Sequence, residues 1–154
     1  MRPSRRRRSW NPARIVAGLG AVSLCACGSA SSGAALPPKP LTITVEMADY
    51  RFVHPHSLPR GRVVMRVRNT GHQVHRLLLV PLPPGFPSMA DEIRQPSGMV
   101  VSPLAGIPNR RPGAVAPLAV DLTAPGRYGF FCFVVDPDNR SHISKGMASE
   151  FTVR

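Results

Sequence analysis

Apolar and polar residues alternate along several short segments of the chain. The clearest example is LTITVEM at residues 41–47, in which every second side chain is apolar. This period is typical of a β-strand with one buried face. Further strands are predicted where the alternation recurs or where β-branched and aromatic residues cluster: GRVVMRVRN (61–69), HRLLLV (75–80), LAVDL (118–122), RYGFFCFVV (127–135) and SEFTVR (149–154). We therefore predict an all-β fold, a sandwich or a barrel.

The chain contains 18 prolines, and most of them lie between the predicted strands. Proline ends a strand there without removing a hydrogen bond from the sheet. Residues 81–117 are rich in proline and glycine, and we predict one long loop. Within it, PSMADEIRQ (87–95) is predicted to form a short helix with Ser88 as the N-cap and acidic residues in its first turn.

The N-terminus has the composition of an export signal. Six arginines and no acidic residue precede a short apolar run at residues 15–26, as in a secretory signal peptide. The sequence LCAC that ends this run resembles a bacterial lipobox, which implies that Cys25 is removed and that Cys27 is lipidated. Cleavage by an ordinary signal peptidase remains open, and so does the choice between the general secretory route and the twin-arginine route.

These features divide the chain into a signal peptide (1–26), a flexible tether (27–40) and one folded domain (41–154). Removing the signal lowers the formal charge from +12 to +6, because six arginines and no acid are lost. The remaining arginines are scattered along the predicted strands, so we predict a solvated positive face and no nucleic-acid binding. We expect a monomer on the outer face of the cytoplasmic membrane, held by its lipid, or otherwise a secreted protein.

Cys132 has no partner for a disulfide if Cys27 is acylated and Cys25 is removed. A single thiol in an exported protein is either buried and inert or used chemically. His142 and Met147 follow it on a polar loop, and His75 begins another predicted strand. Two imidazoles, a thiolate and a weak thioether are the ligand set of a blue-copper site, and together they suit both Cu(I) and Cu(II).

Three motifs resemble those of the cupredoxins, the plastocyanin and azurin family. PGRYGFFC (125–132) resembles the strand that ends at the copper cysteine, HISKGM (142–147) resembles the closing histidine and methionine, and NTGHQVH (69–75) resembles the turn before the first ligand. The resemblance covers residues 41–154 and implies a Greek-key β-sandwich that binds one type 1 copper. The ligands it implies are His75, Cys132, His142 and Met147.

The sequence departs from the family pattern in two places. Nine residues separate Cys132 from His142, more than in the small members of the family, although copper nitrite reductases also have long loops here. Arg76 stands where the family commonly has an asparagine after the first histidine. The resemblance implies single-electron transfer with a redox partner protein. Two alternatives stay open: copper delivery without fast electron transfer, and a metal-free interaction module.

The other candidate residues are interpreted as structural. His54 and His56 form a His-x-His pair interrupted by Pro55, which we assign to a surface turn, and we expect His72 to be solvated. Met65 and Tyr128 are predicted to be buried, and Met99 to lie in the long loop. No nucleophile–base pair, paired carboxylates or phosphate-binding loop is recognisable, so we do not predict an enzyme.

Overall fold

The computed structural model describes residues 39–154 of the chain. In this range nine strands form two sheets, and two short helices lie between the strands. The strands are β1 (Leu41–Ala48), β2 (Arg51–Val53), β3 (Ser57–Leu58), β4 (Gly61–Asn69), β5 (His75–Leu82), β6 (Ala105–Arg110), β7 (Val115–Leu122), β8 (Gly126–Phe131) and β9 (Ala148–Val153). The helices are α1 (Met89–Arg94) and a 3₁₀ helix (Ile143–Lys145). The predicted all-β class is confirmed.

The two sheets form a sandwich. The first has the strand order β2-β1-β4-β7, with β1 parallel to β4. The second has the order β3-β9-β8-β5-β6, in which only the short β3–β9 pair is parallel. Consecutive strands often belong to different sheets, so the chain crosses repeatedly from one sheet to the other, as in a Greek-key arrangement.

The buried faces of the two sheets meet in one hydrophobic core. In β7 the residues alternate between exposed and buried along the whole strand, as its sequence predicts. In β4 the residues Val63, Met65 and Val67 point into the core. Phe130, the penultimate residue of β8, is the largest fully buried side chain among residues 39–154. The period-2 pattern therefore identifies the inner face of each sheet correctly.

A second, smaller apolar cluster covers the outer face of the five-stranded sheet. It brings Met89 of α1 against Phe86 and Phe131, together with two residues from the end of β5. The predicted cap of this helix is confirmed, since the Ser88 side chain accepts a hydrogen bond from the backbone N–H of Asp91. The helix thus helps to cover the strand that leads to Cys132.

The prediction of one long loop over residues 81–117 is partly wrong. Its first residues belong to β5, its last residues belong to β7, and it contains the whole of β6. The sequence AGIPNR shows no period-2 pattern and includes Pro108, which cannot donate a backbone hydrogen bond. β6 lies at the edge of its sheet, where a missing donor is tolerated. Its pairing with β5, which local sequence does not reveal, makes it a strand.

Within residues 39–154, no helix is both long and apolar enough to cross a membrane. The predicted signal peptide, the lipidated Cys27 and nearly all of the predicted tether lie outside the described residues. The first strand begins at Leu41.

Candidate metal centre

Three of the four predicted ligands meet at one end of the sandwich. His75 is the first residue of β5, Cys132 follows the last residue of β8, and His142 directly precedes the 3₁₀ helix. All three side chains are fully buried. Their donor atoms lie within 4.8 Å of one another, and they are the one such cluster of His, Cys, Asp or Glu among residues 39–154. Two of these residues come from the ends of neighbouring strands, so the sheet itself sets their positions.

The three donor atoms face one another. Nδ1 of His75 lies 3.0 Å from Nδ1 of His142, and Sγ of Cys132 lies 3.5 Å from the latter atom. Two nitrogens at about 2.0 Å from one metal ion are at most about 4 Å apart, and a nitrogen and a sulfur at most about 4.3 Å apart. The two observed separations are within these limits, and all three donor atoms lie within 4.8 Å of one another. The cluster could therefore hold one metal ion.

Met147 is also fully buried and is joined to this cluster through its backbone. Its N–H donates to the carbonyl of His142 at 2.9 Å, and its carbonyl accepts from the N–H of Cys132 at 3.2 Å. The residue immediately precedes β9. The backbone thus holds Met147 beside two of the three converging residues.

The long segment between Cys132 and His142 does not push the histidine away. Residues 133–141 fold back on themselves as a small hairpin, in which the N–H of Asp136 donates to the carbonyl of Arg140 at 3.0 Å. Asn139 takes up the left-handed conformation that this turn requires, with φ of 59°. The N–H of His142 then donates to the carbonyl of Val134 at 2.7 Å, which returns the chain to the end of β8. The additional residues therefore form a hairpin between Cys132 and His142.

The 3₁₀ helix reverses the chain between His142 and Met147. Its two backbone bonds join Lys145 to His142 at 3.1 Å and Gly146 to Ile143 at 2.9 Å. Gly146 has φ of 101°, in the left-handed region that favours glycine. The HISKGM motif therefore forms one compact turn with its first and last residues adjacent.

Each imidazole of the cluster is held from behind by a carboxylate. Nε2 of His75 lies 3.0 Å from Oδ1 of Asp49, and Nε2 of His142 lies 2.8 Å from Oδ1 of Asp136. A carboxylate accepts hydrogen bonds, so both Nε2 atoms carry the proton and donate it. In a neutral imidazole the other ring nitrogen, Nδ1, then presents only a lone pair. The two Nδ1 lone pairs therefore point toward each other, and that of His142 also faces Sγ of Cys132.

Two lone pairs at 3.0 Å repel unless a cation lies between them. A shared proton would require one of the rings to be positively charged, and burial lowers the pKa of His75, despite its bond to Asp49. Metal-binding histidines characteristically donate their second ring N–H to a carboxylate or carbonyl, which is the arrangement seen at both rings. The polar groups of this buried cluster are therefore matched to a metal ion.

The two carboxylates differ in their other partners. Desolvation raises the pKa of Asp49, but hydrogen bonds from His72, His75 and the backbone outweigh it and lower the pKa to about 2. Asp136 has its pKa held well below the usual range, first by Lys145, whose Nζ lies 2.6 Å from Oδ2, and then by its bond to His142. Both side chains are therefore anionic acceptors at neutral pH.

Cys132 is the free cysteine of the described chain, and it is fully buried. Burial raises the pKa of its thiol, because a thiolate is poorly solvated there. The backbone N–H of Arg76 donates to Sγ at 3.4 Å, so the position that departs from the family pattern supports the sulfur through its main chain. A bound cation would stabilise the thiolate further.

The turn before β5 allows the Asp49 carboxylate to reach His75. A Cβ atom at Gly71 would collide with Oδ1 of Asp49 and lie 2.7 Å from Nε2 of His75. Asn69 is fully buried and fixes this turn: its amide donates to the carbonyls of Gln73 and Arg110, and its Oδ1 accepts from the N–H of Gly71. The Asn–Gly motif thus makes room for a carboxylate behind the histidine.

No family model matches the chain, and no curated protein matches it in sequence. Its structure is similar to those of blue copper proteins. Reduced auracyanin of Roseiflexus castenholzii superposes with a TM-score of 0.53 at 19% identity, over 76% of this chain and 99% of that protein. Auracyanin A of Chloroflexus aurantiacus superposes with a TM-score of 0.52 at 19% identity, over 75% of this chain and 100% of that protein. Rusticyanin of Thiobacillus ferrooxidans superposes with a TM-score of 0.52 at 14% identity, over 77% of this chain and 79% of that protein.

The chain has the cupredoxin fold. The resemblance noted in the sequence is confirmed at this level, although the identities are low. The sequence pattern predicts most of the strands that form the two sheets and that position the cluster at one end of them.

Two of the remaining histidines of this cupredoxin fold, His54 and His56, form a separate pair. His54 is half-buried against the rings of Phe130 and Phe151, and its Nε2 lies 2.8 Å from Oγ of Ser149. The exposed His56 lies beside it, with 6.2 Å between ring centroids. The pair is therefore partly a packing element and not simply a surface turn.

Other sequence predictions have mixed outcomes. The His72 ring is solvated as expected, with a side chain that is 96% exposed, but its Nδ1 also contacts Asp49 at 2.8 Å. Met65 and Tyr128 are buried as predicted, and Met99 is exposed in the segment after α1.

Sequence reasoning missed Asp49 and Asp136. Asp49 directly follows β1 and lies 26 residues before its histidine, so nothing local connects the two. Asp136 is only six residues from His142, and Pro137 and Asp138 in this segment indicate a turn, but the sequence does not show that the turn brings Asp136 to the imidazole. β1 belongs to the other sheet from β5, so a search along the strands that neighbour the ligand strands would not have found Asp49.

Proposed function

We propose that this chain is an exported type 1 copper protein that carries single electrons between redox partner proteins. The observation that supports the proposal most strongly is the pair of buried Nδ1 lone pairs that converge with a cysteine sulfur. His75, Cys132 and His142 would hold the metal. Met147, beside them in the backbone turn, would supply the weak fourth ligand.

The donor set favours copper over harder metals. Thiolate and thioether sulfur suit Cu(I), whereas imidazole nitrogen suits Cu(II), so the set accepts both oxidation states. Bound copper would supply the one-electron couple. The residues of the chain exclude water, since every donor residue is fully buried, and hold the donors in place in the absence of metal.

Electron transfer is favoured over the alternatives by two features. A copper-delivery protein must pass its ion to incoming ligands, and complete burial of all four residues hinders that exchange. A metal-free interaction module has no need of two carboxylate-held imidazoles whose lone pairs face each other. Auracyanin A, a structural neighbour described as a blue copper protein, also supports electron transfer.

The visible spectrum of the purified full-length chain with one equivalent of Cu(II) tests this proposal. We expect an intense blue or green band from thiolate-to-copper charge transfer. Cys132→Ser should abolish the band, whereas Cys27→Ser, which removes a different thiol, should leave it unchanged. A colourless wild-type complex would reject the type 1 site.

The location of the protein is part of the proposal. The basic and apolar N-terminus and the LCAC sequence support export followed by attachment of a lipid to Cys27. A lipid would place the domain at the outer face of the cytoplasmic membrane. In a bacterial host, Cys27→Ser should shift the protein from the membrane fraction to the soluble exported fraction. Retention in the membrane would argue against lipidation at this residue.

A further inference from the structure

The two carboxylates behind the imidazoles have different electrostatic surroundings. Asp136 forms two bonds through Oδ2, from Nζ of Lys145 at 2.6 Å and from the hydroxyl of Tyr50 at 2.8 Å. Asp49 is contacted by two imidazoles and by backbone N–H groups, and within residues 39–154 no lysine or arginine pairs with it. The charge of Asp136 is thus offset by a partly buried ammonium group, and that of Asp49 is not.

Lys145 is well placed to offset the charge of Asp136. Its side chain is only 16% exposed, while that of Asp136 is 7% exposed, so solvent screens the pair weakly. The same ammonium group contacts Asp138 at 2.7 Å, but that carboxylate is half-exposed and touches neither imidazole. The ammonium also lies over the ring of Tyr50, at 5.2 Å from its centroid. These contacts fix the cation behind His142.

A negative charge near a metal site favours the more highly charged oxidation state. A carboxylate hydrogen-bonded to a ligand histidine also increases the basicity of the ring. Both effects weaken when an ammonium group shares the carboxylate. The two histidines should therefore differ in how strongly they support the oxidised ion.

We propose that Asp49, Asp136 and Lys145 are positioning residues that set the balance between Cu(II) and Cu(I). Asp49 holds His75 with an uncompensated charge and favours Cu(II). Asp136 orients His142 in the same way, but Lys145 offsets its charge. This inference rests on the proposed function, and it assigns roles to three residues that are not among the proposed ligands.

The reduction potential of the copper-loaded full-length protein at pH 8 tests the roles. Asp49→Asn keeps an acceptor oxygen for His75 but removes the charge, so the ratio of Cu(II) affinity to Cu(I) affinity should fall about tenfold. This change equals a rise in potential of about 59 mV for one electron. Lys145→Gln exposes the charge of Asp136, and the potential should move in the opposite direction.

Asp138→Asn is the matched control. It removes the other carboxylate bound by Lys145 without touching an imidazole, so the potential should change by much less than in Asp49→Asn. A purely structural role for the three residues would lower thermal stability without shifts of opposite sign. The sign of the shift is therefore the decisive readout.

The possible outcomes distinguish this inference from the proposed function. A wild-type protein without the charge-transfer band overturns both. A blue wild-type protein whose potential moves the same way, or not at all, in Asp49→Asn and Lys145→Gln overturns only the inference. If Asp49→Asn fails to fold, the partly exposed Lys145→Gln variant alone decides, because a rise or no change in its potential contradicts the assigned role.

Discussion

The converging pair of His75 and His142 and the packed pair of His54 and His56 show how differently the same residue type is used in one domain. Each histidine of the first pair donates Nε2–H to a carboxylate and directs Nδ1 at its neighbour. Within residues 39–154, His54 contacts two phenylalanine rings and a serine hydroxyl but no carboxylate. The two pairs therefore differ in the partner of the second ring nitrogen, a carboxylate at His75 and His142 and a serine hydroxyl at His54, as well as in burial.

The substitution with the largest expected effect on this comparison fills the space behind His75. In Gly71→Ala the new Cβ would displace the Asp49 carboxylate and press on Nε2 of His75. We expect a loss of about 3 kcal/mol in the free energy of unfolding, at the upper end for overpacking, together with much weaker copper binding. Urea denaturation and copper titration measure the two effects.

Gly61→Ala provides the control for backbone strain. Gly61 has φ of 119° and no atom within 4 Å of a built Cβ. Strain alone should destabilise this variant by about 1 kcal/mol and leave copper binding intact. Equal copper affinity in the two variants would show that the Asp49–His75 contact does not support the site.

A smaller effect is expected from Tyr50→Phe. The hydroxyl of Tyr50 donates to Asp136 and accepts from Nε2 of Gln73 at 2.7 Å, so it links the two sides of the site. Its loss should cost about 1 kcal/mol and weaken copper binding measurably. Tyr128→Phe removes a hydroxyl bond of similar length to the carbonyl of Ala124, and it should cost as much stability with no effect on copper. Similar copper affinities in the two variants would count against a linking role.

The smallest effect, His54→Leu, depends on pH. Burial lowers the pKa of His54 below 6.5, so its neutral form stabilises the fold above pH 6.5 and this contribution is lost as the pH falls. At pH 8 the variant should be within about 1 kcal/mol of the wild type, reflecting the lost serine hydrogen bond. At pH 5 the variant should gain relative to the wild type.

Urea denaturation of the metal-free proteins at both pH values measures this change, and both should bind one copper ion when tested at pH 8. His56→Leu alters an exposed ring and should differ little from the wild type at either pH. If His54→Leu abolished copper binding, His54 would belong to the metal site, and the distinction between the two histidine pairs would be wrong.

Much of the fold was predictable because a half-buried strand must alternate. Leu118, Val120 and Leu122 show this period in the sequence, and all three are buried in β7. β6 was not predictable, since AGIPNR has no alternation and is a strand only through its pairing with β5. The ligand residues could be proposed from residue chemistry and motif resemblance, and the HISKGM turn forms locally through its own backbone bonds.

The sequence by itself determined the strand pattern, the inner faces of the sheets and the set of soft and imidazole donors, because these depend on local periodicity and side-chain chemistry. Only the tertiary structure decided that the segment after Cys132 returns His142 to the cluster and that Asp49 and Asp136 stand behind the two imidazoles. The physical reason is that contacts such as Asp49–His75 form between residues on different sheets or loops. Their distance and direction follow from the packing of the whole domain, which no short stretch of sequence records.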